Sequence, residues 1–181
     1  MEASPDRDLI LRARRGDTEA FGELVRAQQA GVFNVCYRMM GERREAEDMA
    51  QEAFIRAYQR IHTFDAERPF GPWMRRVAAN VCLNHLAARK PEAAELDEER
   101  DADSAPLPES GREAREEAER VRAALKSLPS HYRAVVELRH YQEMSYEEIA
   151  AELNIPLSDV KSHLFRARKI LAETLSHEPS H

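Results

Sequence analysis

The side chains best suited to chemistry in this chain are the cations and hydrogen-bonding groups of residues 145–169. This segment predicts two short helices joined by a tight turn, the second one basic, as in a helix-turn-helix that reads a DNA major groove. Ser145 and Glu148 have the spacing of a capping box and start the first helix, and Asn154 and Pro156 end it. For this segment alone, an ordinary amphipathic hairpin with solvated cations is the alternative.

The second helix of this segment has an apolar face and a polar face. Val160, Leu164 and Ala167 recur every three or four residues and are expected to face a core. The opposite face could meet base edges and phosphates. The residues left on or beside it are Lys161, Ser162, Phe165, Arg166 and Lys169.

A second candidate for nucleic-acid contact is the run at residues 62–90, in which aromatic side chains bracket a loop that leads into a helix. Phe64, Phe70 and Trp73 lie near cations, a combination that suits unstacked, single-stranded bases, although core packing is the alternative for these rings. On the polar face of the helix, arginine suits phosphates and asparagine suits base edges. That face is formed by Arg76, Asn80 and Asn84.

Helical periodicity extends over almost the whole chain, and 43% hydrophobic residues are enough for packed cores. We therefore predict an all-α protein with two small helical domains, an N-terminal bundle and a C-terminal helix-turn-helix domain. In the bundle, one helix is expected from about Asp6 to Arg15, closed by Gly16. The next is expected from Thr18 to Met40, capped by Asp17 and closed by Gly41.

A third helix is expected over residues 43–61, with an apolar stripe that includes Ala53 and Ile55. A polar stripe runs beside it, and such a stripe usually just faces solvent. The polar stripe consists of Asp48, Gln51, Glu52 and Arg56.

The net charge of −6 is concentrated in one central segment. Residues 92–120 hold twelve acidic and four basic residues, a net charge of −8. The part of this segment up to residue 112 lacks aromatic residues and contains two prolines, which predicts a linker and not a core element. We therefore place domain boundaries at 1–91 and 113–181, with an acidic linker at 92–112.

Other features limit the class of protein. Cys36 and Cys82 are expected to be buried free thiols, and His85 and His140 are better explained as surface groups than as metal ligands. No set of residues has a recognisable catalytic arrangement, so we expect neither an enzyme nor a cofactor or metal. The longest apolar runs are shorter than about 18 residues, so a cytoplasmic chain without membrane insertion is expected.

Four motifs in order resemble those of the bacterial extracytoplasmic-function (ECF) sigma factors, the small two-domain sigma factors that direct RNA polymerase to promoters. The resemblance runs over nearly the whole chain, and it is the order and spacing of the motifs that make it specific. They are RRGDTEAF near the start, DMAQEAFIRAY at 48–58, PFGPWMRRVAANVCLNHL at 69–86, and ELRHYQEMSYEEIAAELNIPLSDVKSHLFRARK in the second half.

The resemblance implies specific roles for the candidate residues. Residues 1–91 would be sigma region 2, which binds the clamp helices of the largest polymerase subunit and opens the −10 element. A flipped base would enter a pocket at the loop 65–71, with Asn80 as its reader. The polymerase contacts would be Asp48, Gln51, Glu52 and Arg56, and the −10 contacts Phe64, Phe70, Trp73, Arg76, Asn80 and Asn84.

Residues 113–181 would be sigma region 4, which contacts the polymerase flap and reads the −35 element. The resemblance further implies an anti-sigma partner and a chain that is monomeric when free. It would also thread the linker toward the active-site cleft, where acidic residues mimic nucleic acid. The −35 contacts would be Ser158, Asp159, Lys161, Ser162, His163, Phe165, Arg166 and Arg168, with His163 and Arg168 nearer the DNA backbone.

Two departures from the family pattern affect the −35 preference. Ser158 and Asp159 stand where a Gly-Thr pair is common, and His163 stands where arginine is frequent. Asp159 favours the helix dipole but repels phosphate, and it could accept a hydrogen bond from a cytosine amino group.

Two other classes of function remain open at this point. A stand-alone repressor or activator would use the C-terminal helix-turn-helix alone and bind a palindromic site as a dimer. An all-helical adaptor without DNA contact would leave the basic helix unused.

Overall fold

The computed structural model describes residues 5–89 and 109–176, and within these ranges all regular structure is helical, which confirms the predicted fold class. A 3₁₀ turn at Ile61–Thr63 and a π-helical turn at Glu137–Tyr141 connect longer helices. The helices are α1 (Arg7–Arg14), α2 (Thr18–Met40), α3 (Arg43–Arg60), α4 (Phe70–Ala88), α5 (Glu109–Lys126), α6 (Ser130–Val136), α7 (Tyr146–Leu153) and α8 (Leu157–Ser176).

The predicted limits of α2 are confirmed at both ends. The side chain of Asp17 accepts hydrogen bonds from the backbone N–H groups of Glu19 and Ala20, which satisfies two of the free donors of the first turn. Gly41 ends the helix with φ of 80°, a left-handed conformation that costs glycine little.

The predicted start of α7 is also confirmed. Ser145 accepts a hydrogen bond from the backbone of Glu148, and the Glu148 carboxylate accepts one from the backbone N–H of Ser145. Asn154 ends the helix with φ of 53°, as its tolerance of left-handed backbone predicts.

We expect Ser145→Ala to lower the free energy of unfolding by about 1 kcal/mol, because one backbone donor loses its cap. Urea denaturation followed by circular dichroism measures the change. Ser176→Ala, which removes a hydroxyl near the end of α8, is the matched control and should change stability by less than about 0.5 kcal/mol.

The first bundle is built around α2, which packs against α1, α3 and α4. Ala46, Ala53 and Ala57 of α3 are fully buried, and their small side chains let α3 approach α2 closely. Ile55 was expected in this apolar stripe, but that expectation is wrong, because its side chain is 55% exposed. Two residues along a helix correspond to a rotation of about 200°, so Ile55 points away from the face that buries Ala53 and Ala57.

The second module packs α6, α7 and α8 around a core that includes Leu138, Ile149 and Leu164. Most of the predicted linker at 92–112 lies outside the described residues, and its last four residues belong to α5. Among the described helices, none combines the length and the apolar character needed to span a bilayer.

The two modules contact each other. α4 packs against α6, and α2 packs against α5, α6 and the π-helical turn. Arg133 of α6 is 7% exposed and donates hydrogen bonds to the carbonyl oxygens of Met39, Lys126 and Leu128. Burial lowers the pKa of the Arg133 guanidinium.

Candidate nucleic-acid interfaces

A polar row lies along the side of α4 that is turned away from the core of the first bundle. Arg76, Asn80 and Asn84 follow one another at four-residue spacing, so their side chains share one face of the helix. Met74 and Ala78 each lie two residues from a member of this row and are fully buried. Burial of that opposite face is what turns the polar row outward.

The polar row borders a cavity of about 470 Å³. Arg56 and Arg60 of α3 line it together with Arg76, so three cations surround one space. The cavity can therefore hold an anionic chain, with amides available for base edges. The sequence placed Arg56 in the polar stripe of the third helix and did not single out Arg60. The two arginines are four residues apart, so their spacing alone indicates that they share one face of α3.

The three aromatic residues near the start of α4 form one cluster. The Trp73 ring lies 4.7 Å from that of Phe64 and 5.6 Å from that of Phe70, between centroids. Phe64 is 5% and Phe70 1% exposed, so neither ring has a free face for a base. Both rings pack in the core of the free chain, and their DNA contact stays a prediction, whereas Trp73 is half-buried and lines the cavity.

The cavity does not reach the loop at 65–71. Its walls come from α3, α4, α7 and the 3₁₀ turn. In the loop, Asp65 accepts a hydrogen bond from the backbone N–H of Glu67, and the side chain of Ala66 is buried. The base pocket at this loop therefore stays a prediction.

The second module closes one side of the cavity. Glu152 and Leu153, at the end of α7, are part of its lining. The side-chain amide of Asn80 donates a hydrogen bond to the Glu152 carboxylate. In this arrangement the Asn80 amide already has an acceptor within the protein.

α8 has the two faces predicted for it. Val160, Leu164 and Ala167 are 1% exposed or less, which confirms the apolar face. Phe165 is 71% exposed, which is unusual for a large aromatic side chain without a partner surface. Exposed with it are Ser158, Asp159, Lys161, Arg166, Arg168 and Lys169, while Ser162 is half-buried.

His163 lies on the edge of α8 that faces α6. Its ring centroid lies 5.0 Å from that of His131 and 5.1 Å from that of Tyr132. Its Nδ1 atom is buried without a hydrogen-bond partner. Burial is the main reason that the pKa of the His163 imidazole is lowered, and the nearby His131 lowers it further. The negative charge of Asp159 raises this pKa, and the positive charge of Arg166 lowers it. The ring packs against α6, and the DNA contact of His163 stays a prediction.

Arg166 has a partner that the sequence analysis missed. Its Nη1 atom donates a hydrogen bond of 3.3 Å to the hydroxyl of Tyr132 in α6. This hydrogen bond raises the pKa of the Arg166 guanidinium. The contact holds an exposed cation in one place on the basic face of α8.

A mixed polar and apolar surface lies on α3. Asp48, Gln51 and Glu52 are exposed. Ile55 lies seven residues after Asp48, four after Gln51 and three after Glu52, so the four side chains share one face of α3. Tyr58, 41% exposed, lies three residues further and meets Phe21 edge to face at 4.9 Å. We name the four residues 48, 51, 52 and 55 the α3 surface.

Both cysteines, and the two histidines discussed above as surface groups, lie within the described residues. Cys36 and Cys82 are buried, as predicted, and their mutual hydrogen bond, together with burial, raises the pKa of the Cys82 thiol. His85 and His140 are exposed. Within residues 5–89 and 109–176, no cluster of three potential metal ligands occurs.

Comparisons with known proteins give matches in both helical modules. The family model Sigma-70 region 2 matches residues 24–92, and Sigma-70, region 4 matches residues 118–171. The ECF RNA polymerase sigma factor SigW of Bacillus subtilis is 35% identical over 177 residues, which cover 92% of this chain and 94% of that protein.

Two solved structures share the fold. CnrH in complex with the cytosolic domain of CnrY has a TM-score of 0.64 and 26% identity, and the match covers 96% of this chain and 99% of that one. The sigma factor RpoE of Bartonella quintana, in complex with the anti-sigma factor NepR, has a TM-score of 0.61 and 19% identity, covering 88% of this chain and 98% of that one.

These matches span both helical modules and include a relative that aligns over nearly its full length. The chain therefore belongs to the extracytoplasmic-function sigma factors, non-catalytic initiation factors that bind core RNA polymerase and direct it to promoters.

Proposed function

We propose that residues 1–91 take up the melted −10 strand along the polar row of α4, and that residues 113–181 read the −35 element with α8. Residues 92–112 would connect the two. The observation that carries this proposal is the cavity beside α4, where three arginines, two asparagines and Trp73 meet. Such a surface suits a single strand, because cations hold its phosphates and a ring stacks with its bases.

At the −10 element, Asn80 is the proposed base reader and Trp73 the stacking partner. Arg76 and Asn84 contact neighbouring nucleotides. Arg56 and Arg60 add cations on the opposite wall of the cavity, which lengthens the path for the strand. Base capture has to offset a few kcal/mol of unstacking, so a pocket that is shaped in advance is needed.

At the −35 element, the exposed face of α8 enters the major groove. Lys161 and Arg166 suit phosphates or guanine, Ser162 suits a hydrogen bond, and Phe165 suits a thymine methyl group. Asp159 near the start of the helix is the proposed acceptor for a cytosine amino group, and Asp159→Ala should then relax the preference at that base pair.

The Tyr132 hydroxyl gives this surface a testable positioning contact. We expect Tyr132→Phe to reduce discrimination among −35 sequences by about threefold to tenfold, because Arg166 loses the hydrogen bond that orients it. Competitive run-off transcription on templates with one shared −10 element measures the ratio. Tyr37→Phe, which keeps the ring covered by Arg122, is the control and should leave the ratio unchanged.

The α3 surface is the proposed contact with the polymerase clamp helices. It combines acidic groups with an exposed apolar side chain, and interfaces are commonly centred on such an apolar contact surrounded by polar groups. Arg56 stays a predicted polymerase contact, although it also lines the α4 cavity. The second module would meet the flap of the polymerase.

Regulation by an anti-sigma protein is proposed from the family resemblance. The Bartonella quintana sigma factor that shares this fold was solved with the anti-sigma factor NepR. We further propose that the chain acts in the cytoplasm, where the polymerase works, and that it is monomeric when free.

Run-off transcription with core polymerase, across a library of promoter-like templates, tests the proposed function. We expect initiation only on templates that carry both a −35 and a −10 element. Initiation that ignores the −35 sequence would contradict the role of α8. A stand-alone regulator would instead give a symmetric dimer in sedimentation and bind a palindrome without polymerase.

A further inference from the structure

We propose that His163 is a positioning residue for −35 recognition: its neutral imidazole holds the contact between Tyr132 and Arg166, and the gain of a proton by this ring releases Arg166. Discrimination among −35 sequences then falls in acid. This role depends on the proposed function of α8 at the −35 element. His163 acts through Arg166 and requires no contact of its own with DNA.

Three rings meet between α6 and α8. The centroid of the Tyr132 ring lies 4.4 Å from that of His131 and 5.1 Å from that of His163, and the two imidazole centroids are 5.0 Å apart. We call His131, Tyr132 and His163 the ring cluster. Because Tyr132 contacts an imidazole from each helix, the orientation of its ring depends on how both imidazoles are packed.

One hydrogen bond connects the ring cluster to the DNA-reading face of α8. The Tyr132 hydroxyl accepts it from Nη1 of Arg166, at 3.3 Å. Arg166 is exposed, and it follows His163 by three residues, so the two side chains are neighbours on the surface of α8. A change in the packing of His163 therefore reaches Arg166 through Tyr132 and directly along the helix.

The neutral form of His163 is the one that fits the ring cluster. Its Nδ1 atom is buried and has no hydrogen-bond partner within the described residues. A neutral imidazole can leave this nitrogen without a proton, whereas the charged ring carries a proton on both nitrogens. Protonation would thus bury an N–H group without an acceptor. Attraction between the charged ring and Tyr132 is weak at a partly exposed site and does not make up for this loss.

The charges around the His163 ring also disfavour its protonation. His131 on α6 and Arg166 on α8 oppose a further positive charge, and Asp159 on α8 favours it. The charged groups of α5 and α7, which also pack against α8, are not among those that shift the pKa of this ring. Burial is the largest effect, and the pKa of His163 is lowered from the ordinary value of 6.5. The ring is therefore neutral near pH 7 and gains its proton only as the pH falls below about 6.5.

Competition between two promoter fragments for the holoenzyme tests this pH dependence. The fragments share one −10 element and differ at the −35 element, so an effect of pH on the polymerase itself applies to both. For the unmodified chain, we expect the ratio of the two affinities to fall by about threefold to tenfold between about pH 7.5 and about pH 5.5, because Arg166 loses the hydrogen bond that orients it.

Two substitutions separate positioning from direct contact with DNA. His163→Phe keeps a ring that cannot take up a proton, so its affinity ratio should be the same at both pH values. His163→Ala removes the ring and should give a lower ratio than His163→Phe at both. His62→Gln changes an exposed histidine of the first module and is the control, with the pH dependence of the unmodified chain. Equal ratios for His163→Phe and His163→Ala, or a ratio in His163→Phe that falls with pH, would overturn the inference.

NMR of the unmodified full chain, without DNA or polymerase, tests the contact itself. We expect the Tyr132 ring and the Arg166 side-chain N–H resonances to shift with the same midpoint as the His163 imidazole. Shifts that do not follow the imidazole would overturn the inference. If these resonances shift together but the unmodified holoenzyme does not distinguish −35 sequences at any pH, the proposed function of α8 is wrong instead, so the two failures are distinguishable.

Discussion

Replacing Arg133 with methionine is expected to lower the free energy of unfolding by about 2 to 5 kcal/mol, since an unpaired buried carbonyl costs about 1 to 3 kcal/mol. The Arg133 guanidinium donates hydrogen bonds to three carbonyl oxygens, those of Met39, Lys126 and Leu128. Methionine fills similar space but donates no hydrogen bond. Urea denaturation of the full chain measures the change.

Two comparisons make this result specific. Arg133→Lys keeps the charge, but an ammonium lacks the planar fork that reaches several carbonyls, so an intermediate loss is expected. Arg44→Met changes an exposed arginine and should alter stability by less than about 0.5 kcal/mol. If Arg133→Met is as stable as the unmodified chain, ordered water or rearranged backbone must satisfy these carbonyls.

Truncation of Ile55 to alanine is expected to weaken binding to core polymerase by about tenfold to thirtyfold, the effect of removing an apolar residue that carries 1.4 to 2 kcal/mol of binding free energy. The side chain is 55% exposed and makes no part of the core, so stability should change by less than about 0.5 kcal/mol. Competition binding to core polymerase gives the affinity, and urea denaturation gives the stability.

The control for Ile55 is Leu175→Ala, an exposed apolar residue near the end of α8, far along the chain from the α3 surface. Its substitution should leave the affinity unchanged. An unchanged affinity in Ile55→Ala would place Ile55 outside the polymerase contact. A loss of affinity accompanied by equal loss of stability would mean that Ile55 supports the fold instead.

Several features of the site were predictable because they depend on local spacing. The four-residue spacing of Arg76, Asn80 and Asn84 requires that they share a face of any helix that contains them. The same reasoning identified the buried side of α8. Spacing alone left two roles open for Phe64 and Phe70, because an aromatic side chain satisfies the patterns of a core and of a base-stacking surface equally well.

Contacts between residues distant in the sequence could not be predicted. Glu137 lies 99 residues from Arg38, and Glu152 lies 72 residues from Asn80. A single sequence gives no indication of which carboxylate meets which cation, since each acidic side chain is equally plausible as a solvated surface group. The π-helical turn that directs Glu137 inward has no marker such as glycine or proline.

Helix limits, caps and the identity of the two modules follow from the residues of this chain alone. Asp17, Gly41 and Ser145 act on backbone groups within a few positions, so nearby residues are sufficient to place the ends of α2 and the start of α7. The contacts between the modules, the exposure of Ile55 and the hydrogen bond from Asn80 to Glu152 depend on how the helices pack. Whether a side chain is buried depends on which helices pack against it, so residues of the same type can lie in the core or on the surface.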